Sequence, residues 1–313
     1  MTLRTETDYE DLLSLWADLE TGLGVLLSHP RGVQEFVLRV HQYERWARDL
    51  LAQDTDTGLY LLFQLASNSS VGYSTSHALT CAVLCHLVGS ELGLAPAERD
   101  SLGHAALTMN IGMTALQDEL ALQSAPLNPE QQQAVREHPA RGRALLQDMG
   151  VTDALWLDVV ARHHTEASPL QTEPAPAQRL AHILQVVDRY AAMISPRKSR
   201  VGRSATESMR AILGNAAAYD DEIGHALVRA VGVCPPGTYV RLDDGSLAVV
   251  MQRSSQPGLP NVAVVADADD QALAQPRLHR TAERRPRVQS ALASASVRLR
   301  LNHHRVLQLA AVN

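Results

Sequence analysis

His163 and His164 are adjacent at the end of a predicted helix, where a bend lets both rings reach one point. His77 and His138 lie on earlier predicted helices, and Asp188 lies on a later one. Imidazoles with one carboxylate, drawn from four helices, suit a borderline divalent cation inside a bundle. Cys81 lies four residues after His77 and four before Cys85, so all three share one helix face. We read the two thiols as core filling, the common role of a buried cysteine. With Cys234 they make three cysteines, which give no disulfide framework and fit a reducing compartment.

The elements that must position these residues are mostly helical. Leu12, Leu13, Leu15, Trp16, Leu19 and Leu23 form a helical stripe, and Val37, Val40, Tyr43, Trp46, Leu50 and Leu51 form a second. A third helix begins at Leu59. Further helices are expected over 74–93, 96–109, 128–149, 152–164, 178–194, 204–213 and 220–231. Asn128-Pro129-Glu130-Gln131 carries a full start signal: a capping Asn, a first-turn Pro and a Gln that can bond back. After Cys234-Pro235-Pro236-Gly237 the pattern changes. Two β-type runs flank Asp244-Gly245 and read as a hairpin, with 261–266 able to add a strand. Val297–Leu301 alternates like a strand, while Ala291–Ala295 favours helix. The expected fold class is all-α: a helical bundle with a small C-terminal β-hairpin appendage. Its expected parts are an N-terminal helical region (1–70), the main helical domain (71–233), a β subdomain (234–270) and an Arg-rich tail (271–313).

An ordered series of matches over residues 70–265 resembles the HD-GYP family of the HD superfamily. It runs from Tyr73-Ser-Thr-Ser-His77 through Leu92-Gly-Leu94 to Ala105-Ala-Leu107-Thr-Met109-Asn110-Ile111-Gly112-Met113. It continues with Pro126-Leu127, Glu130, His138-Pro139, Gly142, His163-His164, Arg179 and Asp188, and closes with Pro236-Gly237-Thr238 and Asp244-Gly245. The resemblance implies an HD-type bundle. It also implies metal-activated water attacking a phosphodiester of cyclic di-GMP, with cations lowering the pKa of that water. It places His77, His138, His163, His164 and Asp188 on metal positions, and Arg197 and Arg200 against substrate phosphates.

The chain departs from that family where the chemistry is densest. Met109-Asn110 stands in place of the His-Asp pair, and Met113 in place of a lysine. A neutral amide cannot bridge two dications as a carboxylate does, and a thioether is a poor ligand for iron or manganese. After His164 the chain reads Thr165-Glu166-Ala167-Ser168-Pro169-Leu170, with no Gly-Tyr-Pro. His77 and Asp188 alone remain at the first metal position. His138, His163 and His164 remain at the second, a workable three-ligand set. The expectation is therefore at most one divalent metal (Fe, Mn or Zn), or none, and a signalling or interaction module with weak or lost catalysis. The alternative is an active phosphodiesterase with a mononuclear site.

Charge and composition bound the partners. From Gln275 onward, eight arginines face the single acid Glu283, a net +7 that leaves −13 on residues 1–274. Such a tail either binds an anionic partner or folds back on the acidic body. Aromatics make up 4% of the chain, which argues against single-stranded nucleic acid. A cyclic dinucleotide and a signalling protein are the expected partners. No apolar run suits a membrane helix and the N-terminus is acidic, so the expected location is cytoplasmic.

Overall fold

A computed structural model of the chain describes residues 6–68, 71–165, 175–195, 197–198, 202–214, 218–256 and 258–310. Three helices come first: α1 (Glu6–Ser28), α2 (Phe36–Gln53) and α3 (Thr55–Asn68). The central set is α4 (Tyr73–Glu91), α5 (Pro96–Thr108), α6 (Thr114–Leu122), α7 (Pro129–Asp148), α8 (Ala154–Arg162) and α9 (Pro176–Ile194). Then come α10 (Ala205–Leu213) and α11 (Ala218–Val231). The α1 stripe holds in part. Leu12, Trp16, Leu19 and Leu23 are buried, whereas Leu13 and Leu15 face solvent, as a 3.6-residue period requires of neighbours one step off the stripe.

α4 is the central helix. Every side chain from Ser74 to Cys85 is buried, so this stretch shows no amphipathic pattern and must be covered on all sides. α5 and α9 pack on it, as do α11 and the N-terminal helices. Its first turn is capped from outside: Asp118 of α6 accepts from the Ser74 amide at 2.7 Å and from the Ser74 hydroxyl at 2.9 Å. Ser76 also donates to buried Glu20 of α1. α7 starts as its sequence dictates, with the Gln131 amide donating to Asn128 Oδ1 at 2.8 Å and the Asn128 amide donating to Gln131 Oε1 at 3.1 Å.

The all-α expectation is corrected by the C-terminal part. The appendage is a five-stranded antiparallel sheet in the order β4-β3-β2-β1-β5, not a hairpin. Its strands are β1 (Tyr239–Leu242), β2 (Leu247–Gln252), β3 (Asn261–Ala266), β4 (Ala272–Arg280) and β5 (Val288–Leu292). Gly245, at φ +85°, makes the expected turn between β1 and β2. The two outer strands and the closing helix α12 (His303–Ala310) come from the Arg-rich segment. Residues 294–296 form a 3₁₀ turn and 297–302 have no regular structure, in place of the helix and strand leanings read there.

Alternation divides the sheet. Tyr239, Leu247, Val249, Met251, Ala263 and Val265 join the helical core. Val240, Leu242, Ala248, Val250, Val262 and Val264 form a second small core with Cys234. Gly237, at φ +89°, lets the chain touch α3: a Cβ there would lie 2.9 Å from the Tyr60 carbonyl oxygen.

Candidate metal centres

His138 owes its orientation to the residue after it. Pro139 lies inside α7 and has no N–H, so the carbonyl of Val135 loses its helical donor. His138 Nδ1 takes that place at 2.6 Å. His163 follows the last turn of α8, where carbonyls have no helical partner, and its Nδ1 lies 2.7 Å from the Val160 oxygen. A carbonyl only accepts, so both rings carry the proton on Nδ1. Their Nε2 atoms then face each other at 3.1 Å as two lone pairs. Bare lone pairs at that distance repel, so the pair fits a cation between them. Two zinc–nitrogen bonds of about 2.05 Å at the tetrahedral angle set an edge of about 3.3 Å. The His164 ring completes the trio, with its centroid 4.1 Å from His163 and 5.1 Å from His138. One donor atom from each of the three lies within 4.8 Å of the others.

Electrostatics agree with this donor role. Burial lowers His138 to about 4 and, with His164 nearby, lowers His163 to about 3. Both imidazoles are uncharged at neutral pH, as a ligand must be.

The second group joins α4 and α9. His77 Nε2 lies 2.7 Å from Asp188 Oδ1 and 3.6 Å from Cys81 Sγ. The donor atoms of His77, Cys81 and Asp188 all lie within 4.8 Å of one another. Burial pushes the Asp188 carboxyl up, but its bond to His77 and the neighbouring imidazoles outweigh it and hold the group at about 2. Burial and the Asp188 charge push the Cys81 thiol up.

The helices that carry the histidine trio are tied to their neighbours. Trp156 Nε1 of α8 donates to Thr108 Oγ1 of α5 at 2.8 Å. Asp153 caps α8 and accepts from Ser101 of α5 at 2.6 Å. Gly112 lays the 3₁₀ turn Ile111–Met113 on α7: a Cβ there would lie 2.7 Å from the His138 oxygen and 2.8 Å from the Gly142 nitrogen. Met109 is wholly buried in the apolar core, while Asn110 and Met113 are half-buried.

The sequence-derived site residues thus fall into two groups: His138, His163 and His164 in one, His77 and Asp188 in the other. Sequence reasoning set Cys81 aside, although its spacing from His77 carried the signal. Arg197 is bound to Tyr73. Its Nη2 donates to the Tyr73 hydroxyl at 2.6 Å and its guanidinium lies 4.6 Å from the ring centre, while that ring stacks on His77. Arg200 and the segment 166–174, where the Gly-Tyr-Pro loop was sought, lie outside the described residues.

Fold and site together define a helical-bundle protein with adjoining His-rich and His/Cys/Asp clusters of metal-ligand type. Residues 61–223, just over half of the chain, match the family model described as HD domain. A cyclic di-GMP phosphodiesterase of Pseudomonas aeruginosa is 29% identical over 213 residues, 66% of this chain and 51% of that protein. The chain therefore spans about half the length of that relative. An HDG"Y"P protein from Bdellovibrio bacteriovorus has a similar fold, with a TM-score of 0.52 at 14% identity over 71% of each chain. The chain belongs to the HD domain family and is a member of its HD-GYP group. Among the described residues, no helix is long and apolar enough to cross a membrane.

Proposed function

We propose that this chain is an HD-GYP-type cytoplasmic regulatory module in which hydrolysis of cyclic di-GMP is weak or lost. The observation that carries the reading is the Met109–Met113 turn. Met109 fills apolar core where the family pattern has a histidine, and Asn110 offers a neutral amide where it has the bridging aspartate. His138, His163 and His164 are the residues that would hold one divalent ion, iron, manganese or zinc. Such an ion, when bound, would supply an acidified water and a Lewis acid. The chain itself fixes the imidazole tautomers through Val135 and Val160 and keeps the rings uncharged. Arg197, the described arginine at a phosphate-facing position, spends one of its five N–H donors on the Tyr73 hydroxyl. With catalysis weak, the retained scaffold would act by binding a cyclic dinucleotide or a signalling protein.

The histidine trio favours one competing reading, an active mononuclear phosphodiesterase. Turnover of cyclic di-GMP by purified protein with added Mn, Fe or Zn separates the two. The expected wild-type rate is at least ~100-fold below ~1 s⁻¹, the low end of ordinary enzymes. The double variant M109H/N110D, which restores the imidazole and the bridging carboxylate, is expected to gain turnover. A wild-type rate near 1 s⁻¹ that M109H/N110D does not raise would overturn the proposal in favour of the mononuclear enzyme.

A further inference from the structure

We infer that Cys81 is a thiolate ligand and that His77, Cys81 and Asp188 form a second, sulfur-containing metal site that selects zinc over manganese or magnesium. The inference departs from the expectation of at most one metal, raising the count to two, and stands apart from whether the chain hydrolyses anything.

Three observations carry it. First, the donors converge from two helices. His77 and Cys81 are one turn apart on α4, and Asp188 reaches them from α9, all within 4.8 Å of one another. Second, one edge already has the length a metal sets. A zinc–nitrogen bond of about 2.05 Å and a zinc–sulfur bond of about 2.3 Å at the tetrahedral angle put N and S about 3.6 Å apart. His77 Nε2 and Cys81 Sγ are in hydrogen-bond contact at 3.6 Å, the separation a shared zinc would keep. The N···O edge, at 2.7 Å, is a hydrogen bond and opens by about 0.7 Å when an ion replaces its proton. Third, the group lies at the edge of the core, with one of its three members reaching solvent. His77 and Cys81 are buried, whereas the Asp188 side chain keeps 19% of its surface exposed. Three protein ligands with water in the fourth position is the arrangement of an open zinc site, and the exposed edge of Asp188 is the side from which water would reach it.

The loss of the bridging aspartate gives this geometry its meaning. With Asn110 in that place, the first position keeps two family-type ligands, too few to hold an ion tightly. Cys81 restores the count to three and changes the hardness of the set. Thiolate, imidazole and carboxylate suit zinc, and manganese and magnesium prefer all-oxygen or oxygen-rich sites. Binding exchanges the Cys81 S–H bond for an S–metal bond and releases that proton to solvent. The His77 proton moves from Nε2 to Nδ1, which has no hydrogen-bond partner among the described residues.

Cobalt(II) is the probe, because sulfur bound to cobalt gives an intense near-ultraviolet charge-transfer band that nitrogen and oxygen ligands do not. The chain of residues 1–313, stripped with chelator and reloaded, should take up two cobalt ions per chain and show the band. Cys81→Ser should lose the band and one equivalent while keeping its circular dichroism. His138→Ala should keep the band and lose the other equivalent. No band in wild type, or a band that persists in Cys81→Ser, overturns the site. Should Cys81→Ser not fold, X-ray absorption on zinc-loaded wild type decides. One sulfur scatterer at about 2.3 Å supports the site, and nitrogen and oxygen alone overturn it. None of these readouts depends on turnover, so failure here and failure of the catalytic reading are distinguishable.

Discussion

Inside a helix a proline costs about 3 kcal/mol through its missing N–H and its clash with the preceding turn. α7 carries one directly after His138. The carbonyl that Pro139 leaves free is the one that fixes the His138 ring. Pro139→Ala should therefore act in two directions. The alanine N–H satisfies Val135, so the metal-free protein should gain about 1 kcal/mol or more in urea unfolding. The imidazole loses its sole use of that oxygen, so cobalt affinity at the trio should fall by roughly 10–100-fold, the usual effect of removing a partner that orients a ligand. A variant that gains stability and binds cobalt as tightly as wild type would show that Val135 does not orient the ring. The double histidine stood out in sequence by its own adjacency, whereas His138-Pro139 entered only through the family resemblance and its local role is visible in the structure alone. Cys81 did not stand out. Its spacing from His77 is a weak signal by itself, and only Asp188, 111 residues from His77, completes the candidate donor group.

Helix starts were legible because their signals are local: Asn128 and Gln131 satisfy each other within one turn. The outer strands were not. β4 (Ala272–Arg280) has no β-branched residue and contains Pro276, and β5 (Val288–Leu292) is short. Both are edge strands, where partial exposure erases alternation and proline is tolerated. The contact of α2 with α5 hides a different feature. Glu44 of α2 is buried against Gly103 of α5, where a Cβ would lie 2.8 Å from Glu44 Oε1. Arg48, at 3.1 Å, compensates only in part. Burial lifts the carboxyl from 4.5 to about 7. Below 4.5 the group is protonated in both the folded and the unfolded chain and costs nothing. Between 4.5 and 7 the folded protein holds a proton that the unfolded chain releases, so stability falls as pH rises, and the full cost is present above 7. The size of the shift caps that cost at about 3 kcal/mol. Glu44→Gln should match wild type near pH 4 and exceed it by about 1–3 kcal/mol at pH 8. Urea unfolding at both pH values checks this, and a gap that does not widen with pH would contradict it.

On the scale of the whole molecule, the charge division resolves into a packed arrangement. The Arg-rich segment is largely folded back as strands, a turn and α12. Arg285 meets Asp243 at 3.5 Å, Arg280 meets Glu283 at 3.7 Å and Arg305 donates to the Ala274 oxygen at 3.2 Å. Exposed pairs of this kind contribute little, so the charges do not hold the segment down. Apolar burial does. Val306 and Leu307 of α12 are fully enclosed in the main core, with Val297, Leu299, Leu301 and Leu309 packed beside them. Tyr60 of α3 also bonds His303 Nδ1 at 2.8 Å. Burying each of the two enclosed side chains contributes about 1.5–3 kcal/mol. Deleting residues 294–313 should therefore lower unfolding stability by about 3–6 kcal/mol. All five strands would stay in the chain, and cobalt stoichiometry should be unchanged, because the main contacts of α12 are with α1, β2 and β4 rather than with the helices that carry the two donor groups, α4, α7, α8 and α9. A solvated basic arm predicts the opposite, unchanged stability on deletion. Urea midpoints of the two chains, read beside their cobalt content, tell a structural closing segment from an arm held out for an anionic partner.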